Sequence, residues 1–171
     1  MNEVLQTIYE RRSVRDYKPD PIPEEILKEI VRAGIYAPSA MNQQSWHLTV
    51  LTGQAAERFR KFAAEQAGRE AYHNSPVIVL VFGDKAAIEP IRDGTLAISS
   101  MMLAAKSLGI ASCWINIVNH IFVGENSDAL SALWGVPAGY VPVGSLELGY
   151  SAHPSREAAP RKDGTVTYLN E

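Results

Sequence analysis

Arg11-Arg12-Ser13-Val14-Arg15 and, further along, Pro38-Ser39-Ala40-Met41-Asn42-Gln43-Gln44-Ser45-Trp46 are the stretches on which the reading of this chain turns. The first sets three guanidinium groups and a hydroxyl within five residues. A guanidinium is a planar fork that donates paired hydrogen bonds and stays charged, so the segment suits a phosphate. Taken alone it also reads as a solvated helix end, where cations favour the negative dipole terminus. The second stretch supplies a Pro turn and three side-chain amides, Asn42, Gln43 and Gln44. Amides both donate and accept, which suits the mixed edge of a heteroaromatic ring. An ordinary helix-to-strand loop accounts for the Pro and the Ser, but not for an amide cluster beside Trp46. Together the two stretches point to a ligand with a phosphate at one end and a polar-edged ring at the other.

The rest of the chain bounds that reading. At 171 residues it is long enough for one domain with a real core and short for two, so residues 1–171 are read as a single domain. With 46% hydrophobic and 20% charged residues the composition is that of an ordinary globular protein. A net charge of -3 argues against a nucleic-acid partner, whose binding surface would be basic. A basic cluster at residues 11–15 inside an acidic chain favours a small anion over a polyanion. The one cysteine, Cys113, can make no internal disulfide, which suits a reducing compartment. Met1-Asn2-Glu3 opens no signal-peptide pattern, and no apolar run nears the ~20 residues of a spanning helix. A cytoplasmic location with no membrane partner is the expectation.

Periodicity sketches the elements. Val4, Leu5 and Ile8 share a helical face, so residues 3–11 read as a helix. Pro23 followed by Glu24 and Glu25 opens a second helix running to about residue 33, lined by Ile26, Leu27, Ile30 and Val31. Residues 47–51 read as a strand and 54–66 as a helix with Phe59, Phe62 and Ala63 inward. Val77-Ile78-Val79-Leu80-Val81-Phe82 is apolar on both faces and β-branched, a central strand. Residues 93–108 form a long helix stopped by Gly109, with so little polar face that it lies in a large core or a subunit interface. Further strands are read at 111–115 and 141–148, the latter interrupted by Pro142 and Gly144, with a short helix at 127–134 between them. Residues 151–162 read as irregular, and 165–168 as a short β-like tail. The class is α+β, with helices around one sheet.

The Arg-Arg-Ser-x-Arg and Pro-Ser-x-x-Asn-x-Gln-x-Trp pair resembles the nitroreductase family of flavin enzymes. The likeness is strongest over residues 7–51, weaker over 93–116 and thin over 144–162. Two departures stand out: Ser45 where many members have Pro, and Asn116-Ile117 where some carry an acidic residue followed by Gly. The resemblance implies a nitroreductase-like fold, a mostly antiparallel central sheet flanked by helices, in a domain-swapped homodimer. It implies FMN at the dimer interface, with NADH or NADPH as electron donor. Nitroaromatics, quinones or similar electron-poor compounds would be the acceptors, served in ping-pong order. Arg11 and Ser13 would hold the phosphate, Arg12 would lie along the ribityl chain, and Arg15 near the pyrimidine edge, where a cation favours the anionic reduced ring. Pro38, Ser39, Ala40, Asn42 and Gln44 would touch the ring from the partner subunit. Trp114, Ile115 and Asn116 would pass close to the reactive nitrogen, where a backbone amide can bond it. Arg161 is the best match to a late basic residue completing the phosphate site. The C-terminal segment would extend onto the other subunit.

No side chain stands out as an obligatory acid or base, so the chemistry is expected to be the cofactor's. No G-x-G-x-x-G follows a strand, and Gly144 and Gly149 have phosphate-loop spacing but Tyr150 where Lys is needed. His47, His73, His120 and His153 form no metal pair, and no metal is expected. Cys113 with a distant His is formally a cysteine-hydrolase pattern, but it lacks a flanking motif and reads as a small buried hydrophobe. Two other readings stay open: another flavin reductase on the same fold (enoate, dehalogenating or ferredoxin-fed), or a non-catalytic flavin-binding sensor.

Overall fold

The computed structural model describes residues 1–169. Its centre is a four-stranded antiparallel sheet in the order β1-β2-β4-β3, built from β1 (Trp46–Thr52), β2 (Val77–Asp84), β3 (Ala111–Ile115) and β4 (Tyr140–Gly149). β2 is buried along almost its whole length, as its unbroken apolar run requires of a strand covered on both faces. Alternation along the strand then sorts the core into two layers. Ile78, Leu80 and Phe82 face a layer with Phe59, Ala63 and Phe122, whereas Val77, Val79 and Val81 face one with Ile30, Ile98 and Met101.

The first layer is covered by α3 (Gly53–Ala67) and the short α5 (Val118–Ile121), the second by α2 (Glu24–Ile35) and α4 (Pro90–Ser107). Phe59 and Ala63 are fully buried, and Phe62 packs beside them half-buried. α4 begins three residues earlier than the apolar pattern suggests, because Pro90 at its start fixes a helical φ where no N–H bond is lost. Gly94 lets α4 lie close on β4: a Cβ there would stand 2.7 Å from Val143 Cγ2. α6 (Ser127–Ala132) completes the helices.

Three expectations are corrected. β4 is continuous through Pro142 and Gly144; the irregularity is a bulge in which Val81 opposes Gly144 and Phe82 opposes Pro142, leaving Val143 extra. Residues 165–168 form no strand, being exposed with no sheet edge paired to them. α5 was not expected, since its four residues are too few to show a helical period.

α1 (Glu3–Glu10) is capped by Asn2, whose Oδ1 accepts the Leu5 N–H at 3.0 Å, and it buries none of its residues. Val4, Leu5 and Ile8, the apolar face read from the sequence, stand in solvent, and so does Leu96 on α4. A helix this short is stabilised by packing its apolar face, not by propensity, so within one chain these side chains lack their partner.

Candidate functional site

The chain leaves α1 with Arg11 in an extended conformation and runs along the free edge of β3. Val14 N–H donates to Ser112 O at 3.0 Å, and Ser13 pairs in parallel with Ser112. Three residues on, the pairing turns to β4's continuation, where Tyr17 bridges Ser151 and Lys18 N–H donates to Tyr150 O at 2.9 Å. The Tyr17 phenol is buried, donates to Val14 O at 2.7 Å, and is pushed upward in pKa by that burial, so it stays a neutral prop under the segment.

This edge pairing turns the arginines into a cradle. Arg11, Arg12, Val14, Lys106, Ser112 and Ser151 line a cavity of about 110 Å³ with the loop residue Ser155. Each arginine also holds a buried nitrogen, Arg11 Nη1 and Arg12 Nε, with no hydrogen-bond partner among the described residues. A buried guanidinium N–H without an acceptor is costly, so these two side chains suit an oxyanion as their partner. The volume also limits the ligand. A pocket that encloses a whole small ligand runs to about 300–1,000 Å³, so this cavity takes a ligand's end and leaves the remainder lying over the surface.

Lys106 was not foreseen. It stands ninety-odd residues from the arginines in sequence and meets them because α1 lies on the end of α4, where Lys106 Nζ reaches Glu10 Oε2 at 3.2 Å. Ser13 and Arg15 are exposed beside the cavity, next to Cys113. Burial raises the Cys113 thiol and the Arg15 guanidinium opposes that shift only in part, so the cysteine is a neutral, enclosed group. Arg161 is exposed on the irregular C-terminal segment and is not among the residues that line the cavity.

The second motif lies elsewhere. Residues Ala40–Asn42 form a single 3₁₀ turn, and Met41, Asn42 and Gln44 take left-handed φ values of 51°, 55° and 49°. Each costs on the order of 1 kcal/mol for a residue with a Cβ, least for Asn. The turn is held by its neighbours: Ser39 Oγ accepts Gln44 N–H at 2.9 Å, and Gln43 Oε1 accepts Ile88 N–H at 2.9 Å. Asp93, buried in the first turn of α4, accepts Ala40 N–H on one oxygen at 2.9 Å and the Ser45 hydroxyl on the other at 2.8 Å. Pro38, Asn42 and Gln44 are exposed, and Met41 projects 84% exposed beside them. Asn42 Oδ1 is taken by Gln44 Nε2 at 3.3 Å, which leaves the Asn42 amide nitrogen and the Gln44 amide oxygen turned to an outside partner. Ser45 and Asp93 were missed as a pair; an acid in the first turn of an otherwise apolar helix was the signal.

The two motifs occupy opposite ends of α4. Asp93 holds the loop and Lys106 borders the cradle, thirteen residues further along α4, which is about 20 Å at 1.5 Å per residue. None of residues 38–44 lines the cradle.

Trp114, Ile115 and Asn116 close β3. Trp114 packs on Gly144, where a Cβ would stand 2.9 Å from its Nε1, and Ile115 is buried. Asn116 is exposed, its Oδ1 accepting from Asn119 Nδ2 at 2.7 Å. On the face of the sheet away from Trp114 lies a largely buried network that sequence spacing could not show. His73, Cys113 and Glu147 bring a ring nitrogen, a thiol and a carboxylate within 4.8 Å of one another. Glu147 is fully buried and already engaged: the His73 N–H and ring Nδ1 lie 2.7 Å from its two oxygens, and the Ser75 hydroxyl donates at 3.2 Å. With its oxygens so occupied, the carboxylate reads as an anchor for the loop before β2.

A family model described as the nitroreductase family matches residues 8–150. The chain is similar to a solved nitroreductase with bound FMN from Bacteroides fragilis, at a TM-score of 0.86 and 35% identity over 99% of this chain and 100% of that one. It is similar also to a nitroreductase with bound FMN from Desulfitobacterium hafniense, at 0.86 and 29% over 99% and 100%. The FMN reductase (NAD(P)H) of Bacillus subtilis is 28% identical, over 100% of this chain and 76% of that one.

Proposed function

The chain belongs to the nitroreductase family, and from that membership we propose that it is an FMN-dependent NAD(P)H oxidoreductase working as a homodimer with a flavin at each of two shared sites. The relatives named above bind FMN or use it with NAD(P)H. The residues present fit the group: Arg11 and Arg12 line a cavity of phosphate-end size, and each holds a guanidinium N–H with no acceptor among the described residues. When bound, FMN would supply the two-electron chemistry, taking hydride from NADH or NADPH and passing it in ping-pong order to nitroaromatics, quinones or similar electron-poor acceptors.

The observation that supports the dimer is the uncovered apolar face that Val4, Leu5, Ile8 and Leu96 present on α1 and α4. The cradle for the phosphate end and the loop for the ring lie at opposite ends of α4, about 20 Å apart along it. Two copies related by a two-fold axis, with their α4 helices antiparallel, bring the loop of one to the cradle of the other. The uncovered apolar faces of α1 and α4 would then be buried, and the ring would lie in the seam between subunits. Here the chain's own residues have plain tasks. Arg11, Arg12, Ser13 and Lys106 bind the phosphate end; Arg15 places positive charge near the ring; Ser39, Asn42 and Gln44 orient its polar edge from the partner; and Trp114, Ile115 and Asn116 floor the site.

The test is the visible absorption spectrum of the purified protein before and after anaerobic NADH or NADPH. Yellow protein that bleaches is the expected result, and the nicotinamide that works is the donor. Yellow protein that does not bleach would point to another donor or to a sensor. Protein that stays colourless after soaking in FMN would overturn the assignment.

A further inference from the structure

We propose that Asp93 and Ser45 are a positioning pair that fixes the shape of the ring-binding loop, so that they control how fast hydride moves more than how tightly the cofactor is held. The inference rests on the flavin reading above. Asp93 is 2% exposed, and a buried carboxyl is tolerated only where its oxygens are hydrogen-bonded. Its pairing is directed at the loop: one oxygen takes the Ala40 main-chain N–H and the other the Ser45 hydroxyl. A single rigid group thereby brackets Met41, Asn42 and Gln44, the three residues held in left-handed backbone. Placement in the first turn of α4 adds the positive end of the helix dipole. Ser45, itself 5% exposed, has no other hydrogen-bond acceptor among the described residues.

The pair stands at the far end of α4 from the phosphate cradle and touches none of the residues that line it. Loosening the bracket leaves Arg11, Arg12 and Lys106 as they are and lets the amide edge of the loop drift against the ring. Misplacement of even an ångström at a reacting centre can cost about a hundredfold in rate.

Wild type, Asp93→Ala, Asp93→Asn and Ser45→Ala would be compared at saturating FMN. The readouts are stopped-flow bleaching by the donor that bleaches wild type, the visible band of bound flavin, the FMN dissociation constant and thermal stability. Asp93→Ala is expected to slow bleaching by about ten- to a hundredfold, to shift the band toward that of free FMN, and to weaken FMN by less than removal of both loop amides does, since Asn42 and Gln44 are still present. Asp93→Asn keeps an oxygen for Ala40 and an amide for Ser45, so it should recover most of the rate. Ser45→Ala should slow bleaching by about three- to tenfold, in keeping with loss of one ordinary hydrogen bond, and it decides the matter should Asp93→Ala not fold. Wild-type rate and band in Ser45→Ala or Asp93→Ala overturn the proposal. So does a loss in which Asn is as slow as Ala and affinity falls in step with rate, which marks a merely structural carboxylate. Wild-type protein that takes up no FMN would instead overturn the flavin reading, and this inference with it.

Discussion

A mixed dimer tests the shared site most sharply. Arg11→Ala removes a guanidinium whose Nη1 is buried and unpaired; loss of its charge-assisted bond to a phosphate is worth about 1.5–3 kcal/mol, or roughly ten- to a hundredfold in affinity. Asn42→Ala with Gln44→Ala removes two neutral amide contacts at the far end of α4, together about 1–3 kcal/mol. Each variant alone forms a dimer with two damaged sites. If cradle and loop come from different subunits, a dimer of one Arg11→Ala chain and one loop-variant chain carries one doubly damaged site and one untouched site. Random exchange of equal amounts makes half the dimers mixed, so about a quarter of wild-type tight binding should return. The assay is FMN titration by fluorescence quenching, at a flavin concentration that fills wild type but neither variant, before and after subunit exchange. Full recovery failure, with exchange verified by differently tagged chains, would refute the argument, because sites made within one chain yield no intact site on mixing.

Three further outcomes follow. Lys106→Gln should weaken FMN by about tenfold, the loss of one charged bond, yet leave riboflavin binding unchanged, because only FMN has a phosphate to reach the cradle; equal effects on both in parallel titrations would remove Lys106 from the site. Gly94→Ala should destabilise the fold by about 1–3 kcal/mol in urea titrations, since its new methyl would stand 2.7 Å from Val143 Cγ2 between α4 and β4; an unchanged midpoint would mean that the helix slides freely. Stability should fall at alkaline pH. Burial raises Cys113, Tyr17 and Tyr72 in the folded state, so the unfolded chain loses these protons first, from about pH 8.5 for the thiol and 10 for the phenols, and stability present below those values is lost as pH rises. Urea midpoints from pH 7 to 10.5 check this, and Cys113→Ala should remove the earlier part of the decline.

What was legible in the sequence is what local pattern encodes. β2 could be read because six consecutive apolar residues admit only a strand covered on both faces. α4 and α3 could be read because their apolar positions repeat. The phosphate and ring motifs could be read because each packs its chemistry into adjacent residues. What could not be read depends on distance along the chain. Lys106 joins Arg11 only through the contact of α1 with α4, and Glu147 meets His73 across 74 positions. The Val143 bulge hides because Pro142 and Gly144 mark an irregularity without saying whether the strand survives it. The strand expected at 165–168 had propensity but no sheet edge to join, and propensity alone does not make a strand.

The arginine segment is pinned by partners much further along the chain: Ser13 by Ser112, Tyr17 by Ser151, and Asp16 O by the Ala152 N–H. During synthesis the motif therefore emerges well ahead of its partners and acquires its cradle only after residue 152 has emerged. Pairings of such long reach are slow to close. The nascent protein thus holds its future cofactor grip as a loose, unprotected basic strand while all four strands of the sheet are still being made, and a chain stopped short of β4 would carry the whole motif yet have nowhere to put a phosphate.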